Sequence, residues 1–241
     1  MVLFRFIPAL FLIPFFFAKK IEYKVDSPLL MLLRSLMGVM SIVCLFYSLK
    51  WGHFGKENLL YTLGTFWAFL WSVLILKEKP KAITISAIPL AFIGLICIFK
   101  PISGPLYMAD VVALLGSFFT AFAYISIKKL RESHTAISIV FSFYMTGFII
   151  FLLPTLKHFV LPSSKDILFS ILIGVSGFIA QILMTIGYKY TPITVSSSIK
   201  LTSVVLMICI GIVLFNDTLD WVTGFGIGSV LTAIYVITRY Q

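Results

Sequence analysis

The sequence predicts an all-α membrane protein of nine transmembrane helices, and three observations predict it. Apolar segments of spanning length recur from end to end, charged residues are scarce, and most of the charges fall in the short gaps between apolar runs. Of the 241 residues, 60% are hydrophobic and 12% charged, where a soluble domain carries about 45–50% and about 25%. A soluble fold of this size could not cover its surface with so few charges. A bilayer removes the difficulty by acting as solvent for an apolar exterior.

The segments are 2–18, 29–49, 58–76, 82–99, 108–127, 135–156, 167–188, 193–215 and 221–238. A helix needs about 20 apolar residues to cross the hydrocarbon, with about 17 as the lower limit, and only the first and fourth segments come near that limit. The first is read as a retained span and not a signal peptide. Its core is Phe-rich, it lacks a small-x-small cleavage pattern, and Lys19 and Lys20 follow it at once. Turn formers such as Asp26-Ser27-Pro28, Gly52, Pro101 to Pro105 and Pro162-Ser163-Ser164 mark the connections. These are too short to hold a soluble domain.

Basic residues set the expected orientation. One side collects Lys19, Lys20, Lys24, Lys77, Lys79, Lys81, Lys128, Lys129, Arg131, Lys189 and Arg239, which makes eleven. The other collects Lys50, Lys56, Lys100, Lys157 and Lys165, which makes five. The richer side is expected to be cytoplasmic, with the C-terminus inside and the N-terminus outside. The net charge of +10 is thus assigned to insertion topology and not to nucleic acid, since the charges form no stripe or tail.

An ungapped internal repeat lies at an offset of 139 residues, with Lys50 over Lys189, Gly38 over Gly177 and Thr84 over Thr223. Leu-Lys-Glu-Lys at 76–79 falls over Phe-Asn-Asp-Thr at 215–218, each ending one apolar span and opening the next. The offset holds an odd number of spans, so paired helices cross in opposite directions. Inverted repeats of this kind mark transporters, with the solute near the midplane between the halves. The expected halves are 1–101, with four helices, and 102–241, with five.

Several segments, in order, resemble the EamA family of the drug/metabolite transporter superfamily. They are Phe4-Arg5-Phe6 entering a span, Leu33-Arg34-Ser35 leading to Leu45-Phe46-Tyr47-Ser48-Leu49, Leu76-Lys77-Glu78-Lys79 between spans, Gly94 in a run ending at Lys100-Pro101, and Gly177 with Gln181 ahead of Tyr188-Lys189-Tyr190-Thr191-Pro192. The resemblance implies ten helices in two inverted five-helix repeats, with both termini cytoplasmic. This sequence begins where the family's second helix begins, so the expected architecture is the ten-helix fold minus its first helix. It also implies a transporter of a small metabolite, such as an amino acid, a nucleotide-like solute or an S-adenosylmethionine-like zwitterion, in the bacterial inner membrane. A truncated, non-transporting remnant is the alternative, with a membrane-embedded enzyme a more distant one.

Polar residues inside the spans are the candidates for solute binding, because burial in lipid is costly for them. Lys200 lies seven residues into the eighth segment among Ser196, Ser197, Ser198, Thr202 and Ser203, placed to meet a carboxylate or phosphate; the competing reading is snorkelling to the interface. The repeat sets Tyr61 opposite Lys200. Gln181 lies near the middle of the seventh segment and needs a hydrogen-bond partner. Arg34 is either a headgroup anchor or an anion-attracting group at the inner mouth. Trp67 is a candidate stacking surface. The set is therefore Lys200, Gln181, Tyr61, Trp67, Ser197 and Arg34. Gly174, Gly177 and Ala180, and Gly224 with Gly228, are expected to allow close helix packing.

All nine carboxylates fall in loops or within about a turn of a span end, which argues against a proton-coupled exporter of cations. His53, His134 and His158 lie in separate loops, and no H-E-x-x-H, G-x-S-x-G or paired intramembrane aspartates occur. No enzyme, metal or cofactor is expected. Cys44, Cys97 and Cys209 read as small buried hydrophobes. The expected partners are a small-molecule substrate and the bilayer, with a second copy of the chain as a candidate.

Overall fold

The computed structural model describes residues 3–14, 26–100, 105–157, 163–215 and 219–240. Among these residues, two short 3₁₀ helices, Leu3–Arg5 and Ile7–Leu12, are followed by the α-helices α1 Pro28–Trp51, α2 Phe54–Thr62, α3 Gly64–Ile75, α4 Ala82–Phe99, α5 Met108–Leu130, α6 Ala136–Lys157, α7 Ser164–Tyr190, α8 Ile193–Ile199, α9 Thr202–Phe215 and α10 Trp221–Tyr240. Among the described residues, eight segments are long and apolar enough to cross a membrane. The expected count is nine; of segment 2–18, Leu3–Arg5 and Ile7–Leu12 are 3₁₀ helix, Ile13 and Pro14 are α-helical, and residues 15–18 lie outside the described residues.

Two of the eight spans are each built from two helices. The span Lys56–Ile75 comprises α2 and α3, and the span Ile193–Val213 comprises α8 and α9. The outer faces are apolar and exposed, as with Leu106, Val213 and Trp221, the last of them 95% exposed. A lipid exterior accounts for this, because in water so much apolar surface would drive association.

The chain divides into two compact units, one from Met1–Val39 and Ser126–Tyr190 and the other from Met40–Ile125 and Thr191–Gln241. The divisions fall within helices α1 and α5 and after α7, so each unit joins two stretches that are separate in the sequence.

In the first unit, Phe6 is fully buried and packs on Phe143, Tyr144 and Phe151 at ring separations of 5.6 to 5.8 Å. It reaches them through the space left by Gly147, where a Cβ would stand 2.3 Å from the Phe6 ring. Gly177 lies under the Arg5 guanidinium, 3.7 Å from where its Cβ would be. The imidazole of His134 accepts the Asp26 N–H at 2.9 Å and pins the start of α1.

In the second unit, α4 and α10 pack closely. A Cβ on either Gly94 or Gly226 would stand 2.7 Å from the other's carbonyl oxygen, and Ala87 and Ala233 are buried in the same apolar cluster. Small residues let backbones approach and gain dispersion contacts where lipid offers no hydrophobic drive. The sequence reading chose Gly224 and Gly228 for this contact. Both face open space, and Gly226, two residues away from each, takes the role.

Candidate functional site

The two breaks in the second unit's spans are local tightenings of the helix ladder. At Leu63, the N–H reaches the Leu59 and Leu60 carbonyls at 3.3 Å each, and Gly64 follows directly. At Lys200–Leu201, hydrogen bonds of three-residue spacing run from Leu201 N to Ser198 O (2.9 Å), from Ser203 N to Lys200 O (3.0 Å) and from Val204 N to Leu201 O (3.0 Å). Mid-span 3₁₀ turns of this sort mark hinges and functional sites. The serines explain the second break. Ser198 Oγ donates to the Thr194 carbonyl (2.7 Å) and Ser203 Oγ to the Lys200 carbonyl (2.7 Å), and such back-bonding bends helices. Tyr61 and Lys200 differ by 139 in number, so the two breaks fall at positions one repeat offset apart.

A cavity of about 180 Å³ lies at both breaks. Its polar lining is Asn58, Tyr61, Thr62, Thr65, Lys200 and Ser203. Leu45, Phe99, Val204 and Met207 give it an apolar wall. No Asp or Glu lines it among the described residues.

Its polar groups are held from outside. The Tyr61 hydroxyl closes a triangle with Ser41 Oγ (2.6 Å) and Thr120 Oγ1 (3.1 Å), and the two hydroxyls are 2.5 Å from each other. Gly116 lets the ring in, since a Cβ there would meet it at 3.2 Å and Cys44 at 2.7 Å. The Lys200 ammonium donates to the Tyr124 hydroxyl. It also stands over the Tyr124 ring at 5.0 Å and the Tyr61 ring at 5.9 Å. Two aromatic faces favour a cation there.

Helix α8, the first half of the second broken span, is anchored by Glu78. One carboxylate oxygen accepts the Ile193 N–H at 2.8 Å; the other accepts the Thr194 hydroxyl at 2.9 Å and the Thr194 N–H at 3.4 Å. A carboxylate there satisfies N-terminal amides that have no partner within the helix. The repeat partner of this position, Asp217, lies outside the described residues.

The predicted residues divide among several places. Tyr61 and Lys200 meet at the cavity. Ser197, 1% exposed, instead lines a separate small apolar void with Phe66 and Phe69. Trp67 packs edge-on against Phe118 at 6.0 Å, outside the cavity lining. Arg34 belongs to the first unit, 1% exposed, with its guanidinium 4.3 Å above the Phe143 ring and pressed against Gly38. It is buried among these side chains. Gln181, also in the first unit, is half-buried, and its backbone carbonyl accepts the Thr185 hydroxyl at 2.7 Å.

Sequence reasoning missed Asn58, Tyr124 and the anchoring role of Glu78. Asn58 lies at the very edge of an apolar segment, and nothing in its neighbourhood distinguishes it from an interfacial residue. Tyr124 is one aromatic among many in α5. Glu78 sat inside a quoted motif whose partner, 115 residues further on at Ile193, no local pattern reveals.

Comparison with known proteins agrees with this architecture. The model of the EamA-like transporter family matches residues 1–100 and 107–239. An uncharacterized transporter of Helicobacter pylori is 26% identical over 208 residues, covering 82% of this chain and 69% of that protein. The pseudopaline exporter CntI of Pseudomonas aeruginosa is 24% identical over 212 residues, covering 87% and 75%. One crystal structure matches the fold with a TM-score of 0.85 at 13% identity, over all of this chain and 88% of the other.

Proposed function

Since the chain belongs to the EamA-like transporter family, we propose that it carries an anionic or zwitterionic small metabolite across the membrane, binding it in the cavity at the two helix breaks. Membrane transport is the function of the family; the solute class and the site are inferred. The observation that carries the inference is Lys200, a cation placed at a mid-span break and lining a cavity with Asn58, Tyr61 and Ser203 and, among the described residues, with no carboxylate. A carboxylate or phosphate entering this space would gain a charge-assisted bond from the ammonium. An organic cation would meet like charge. The carboxamide and hydroxyl groups of the lining suit the polar remainder of a metabolite such as an amino acid, a nucleotide-like solute or an S-adenosylmethionine-like zwitterion.

The breaks also supply a means of movement. Paired discontinuous helices, one from each half, are where transporters expose the solute alternately to the two sides. The halves 1–101 and 102–241 are read as inverted repeats, with a break in each. The orientation follows from the basic residues, with the C-terminus cytoplasmic and the N-terminus, as the chain stands, outside, in a bacterial inner membrane. The name of the Pseudomonas relative, an exporter, supports outward movement.

The test is counterflow in proteoliposomes with a panel of labelled solutes: a neutral sugar, alanine, glutamate, S-adenosylmethionine and a nucleoside monophosphate. At least one charged solute is expected to exchange. Lys200→Ala should slow that exchange by about tenfold, the loss of one charge-assisted hydrogen bond, while a neutral solute, if carried, is spared. Equal exchange by the substituted protein discards the site, and no exchange of any solute discards the transport reading.

A further inference from the structure

The two tyrosines beside Lys200 meet it in different ways. The Tyr61 hydroxyl is engaged by Ser41 Oγ at 2.6 Å and Thr120 Oγ1 at 3.1 Å, and what it presents to the ammonium is its ring, 5.9 Å away. Tyr124 presents both its ring, at 5.0 Å, and its hydroxyl, which accepts a hydrogen bond from the ammonium. Tyr124 is 6% exposed and stands outside the cavity lining, whereas Lys200 is exposed and belongs to it. The two also differ in their helices. Tyr124 lies within the unbroken α5, and Lys200 is the C-cap of α8, where the span tightens. One hydrogen bond thus ties the break to a continuous helix.

That bond has a weak point. From an ammonium to a phenol it has one charged partner; from an ammonium to a carboxylate or phosphate it has two, and is stronger. An anion in the cavity can therefore take the ammonium from Tyr124. A neutral carbonyl or hydroxyl would exchange one neutral acceptor for another and gain little. Among the described residues no carboxylate lines the cavity to compete with the anion.

We propose that Tyr124 is a positioning residue that competes with the solute for the Lys200 ammonium, so that taking up an anion releases the α8–α9 break from α5. The inference rests on the cavity reading above and adds a selecting step to it: a solute that cannot win the ammonium leaves the break tied. A ligand shifts an equilibrium only through contacts that differ between the two arrangements. This change of partner is such a contact, and it falls at the discontinuous helix where movement is expected.

Counterflow by Tyr124→Phe tests this, because phenylalanine keeps the ring beside the ammonium and removes the acceptor. For the charged solute of the panel that exchanges best, KM is expected to fall by about tenfold, the loss of one competing hydrogen bond, with no gain in maximal rate. A tyrosine that only packs, or that touches the solute itself, predicts the opposite sign. A KM unmoved or raised, while Lys200→Ala still loses exchange, overturns the role of Tyr124 and leaves the cavity reading standing. Equal exchange by Lys200→Ala, or no exchange of any solute, removes the cavity reading and this inference with it. The natural chain supplies a check that does not depend on the variant's folding. In solid-state NMR of proteoliposomes without solute, ¹⁵Nζ-lysine and ¹³Cζ-tyrosine should show a coupling of direct hydrogen-bond range. Saturating glutamate or nucleoside monophosphate, whichever is exchanged, should abolish it. Absence of that coupling, or its persistence at saturation, overturns the proposal.

Discussion

Arg34 and Lys200 look alike in the sequence, each a lone cation six or seven residues into an apolar run, but the two units treat them in opposite ways. In the first unit Arg34 is sealed against Phe143 and Gly38, inside a continuous helix. In the second unit Lys200 stands exposed where the helix tightens, beside the cavity. Arginine suits the first setting because its planar guanidinium stacks on a ring and is weakly hydrated; lysine suits the second as a compact point charge on a long stem. The lesson is that the surroundings of a charge within a span depend on whether its helix is whole. A whole helix offers the side chain only its neighbours, whereas a broken one opens space beside it.

The sharpest way to break this contrast is to remove Arg34. Arg34→Ala forfeits a desolvated cation–π contact and the packing of the stem, and should lower stability by about 3 kcal/mol, read as thermal unfolding in detergent. Any protein that does fold should keep its solute preference. Lys200→Ala should behave in reverse, with the tenfold loss of charged-solute exchange described above and an unfolding midpoint near that of the natural sequence. A stability loss as large as that of Arg34→Ala would merge the two roles and refute the distinction.

A smaller effect is expected at Glu78. Glu78→Gln keeps the shape but gives up the charge that serves the Ile193 and Thr194 amides, and should cost about 1 kcal/mol. Because α8 leads into the Lys200 break, the variant should also disturb exchange, which no comparable substitution around Arg34 would do.

The smallest effect concerns the ends of α4 and α10. Lys100 and Asp220 pair at 2.7 Å on the surface. The bonds from Lys100 and from the Thr223 hydroxyl hold the Asp220 carboxyl down at about 2, from an ordinary value of 3.8. A carboxyl whose folded-state value is depressed stabilises the fold above its unfolded-state value, and that contribution is lost as pH falls through 3.8 toward 2. Lys100→Met should therefore narrow the stability difference between neutral pH and pH near 3, by an amount that salt largely screens, with exchange at neutral pH unchanged.

Much of this was legible without coordinates. Segment boundaries followed from apolar run length: 82–99, for instance, is both the predicted fourth segment and helix α4, Ala82–Phe99, because lipid demands satisfied backbone and an apolar exterior from every spanning helix. The register between Tyr61 and Lys200 was legible from the repeat. The helix breaks were not, since Leu63 and Leu201 are apolar residues in apolar runs and the tightening depends on hydroxyls and on packing against α5. Gly226 was misjudged for Gly224 and Gly228 because all three are alike in composition, and only the facing helix chooses among them.

Hydropathy and charge placement are local quantities, and from them the chain alone determined that it spans a membrane many times, where most of its spans lie, and which family it resembles. Burial is not local. Glu57 and Asp110 stand at helix ends, where a reader of the sequence expects water, and only the approach of α2 to α5 closes the space around them and leaves two carboxyl oxygens without a donor. The tertiary structure decided which polar groups share a cavity and which cation is sealed, because those outcomes depend on neighbours that lie tens of residues away along the chain.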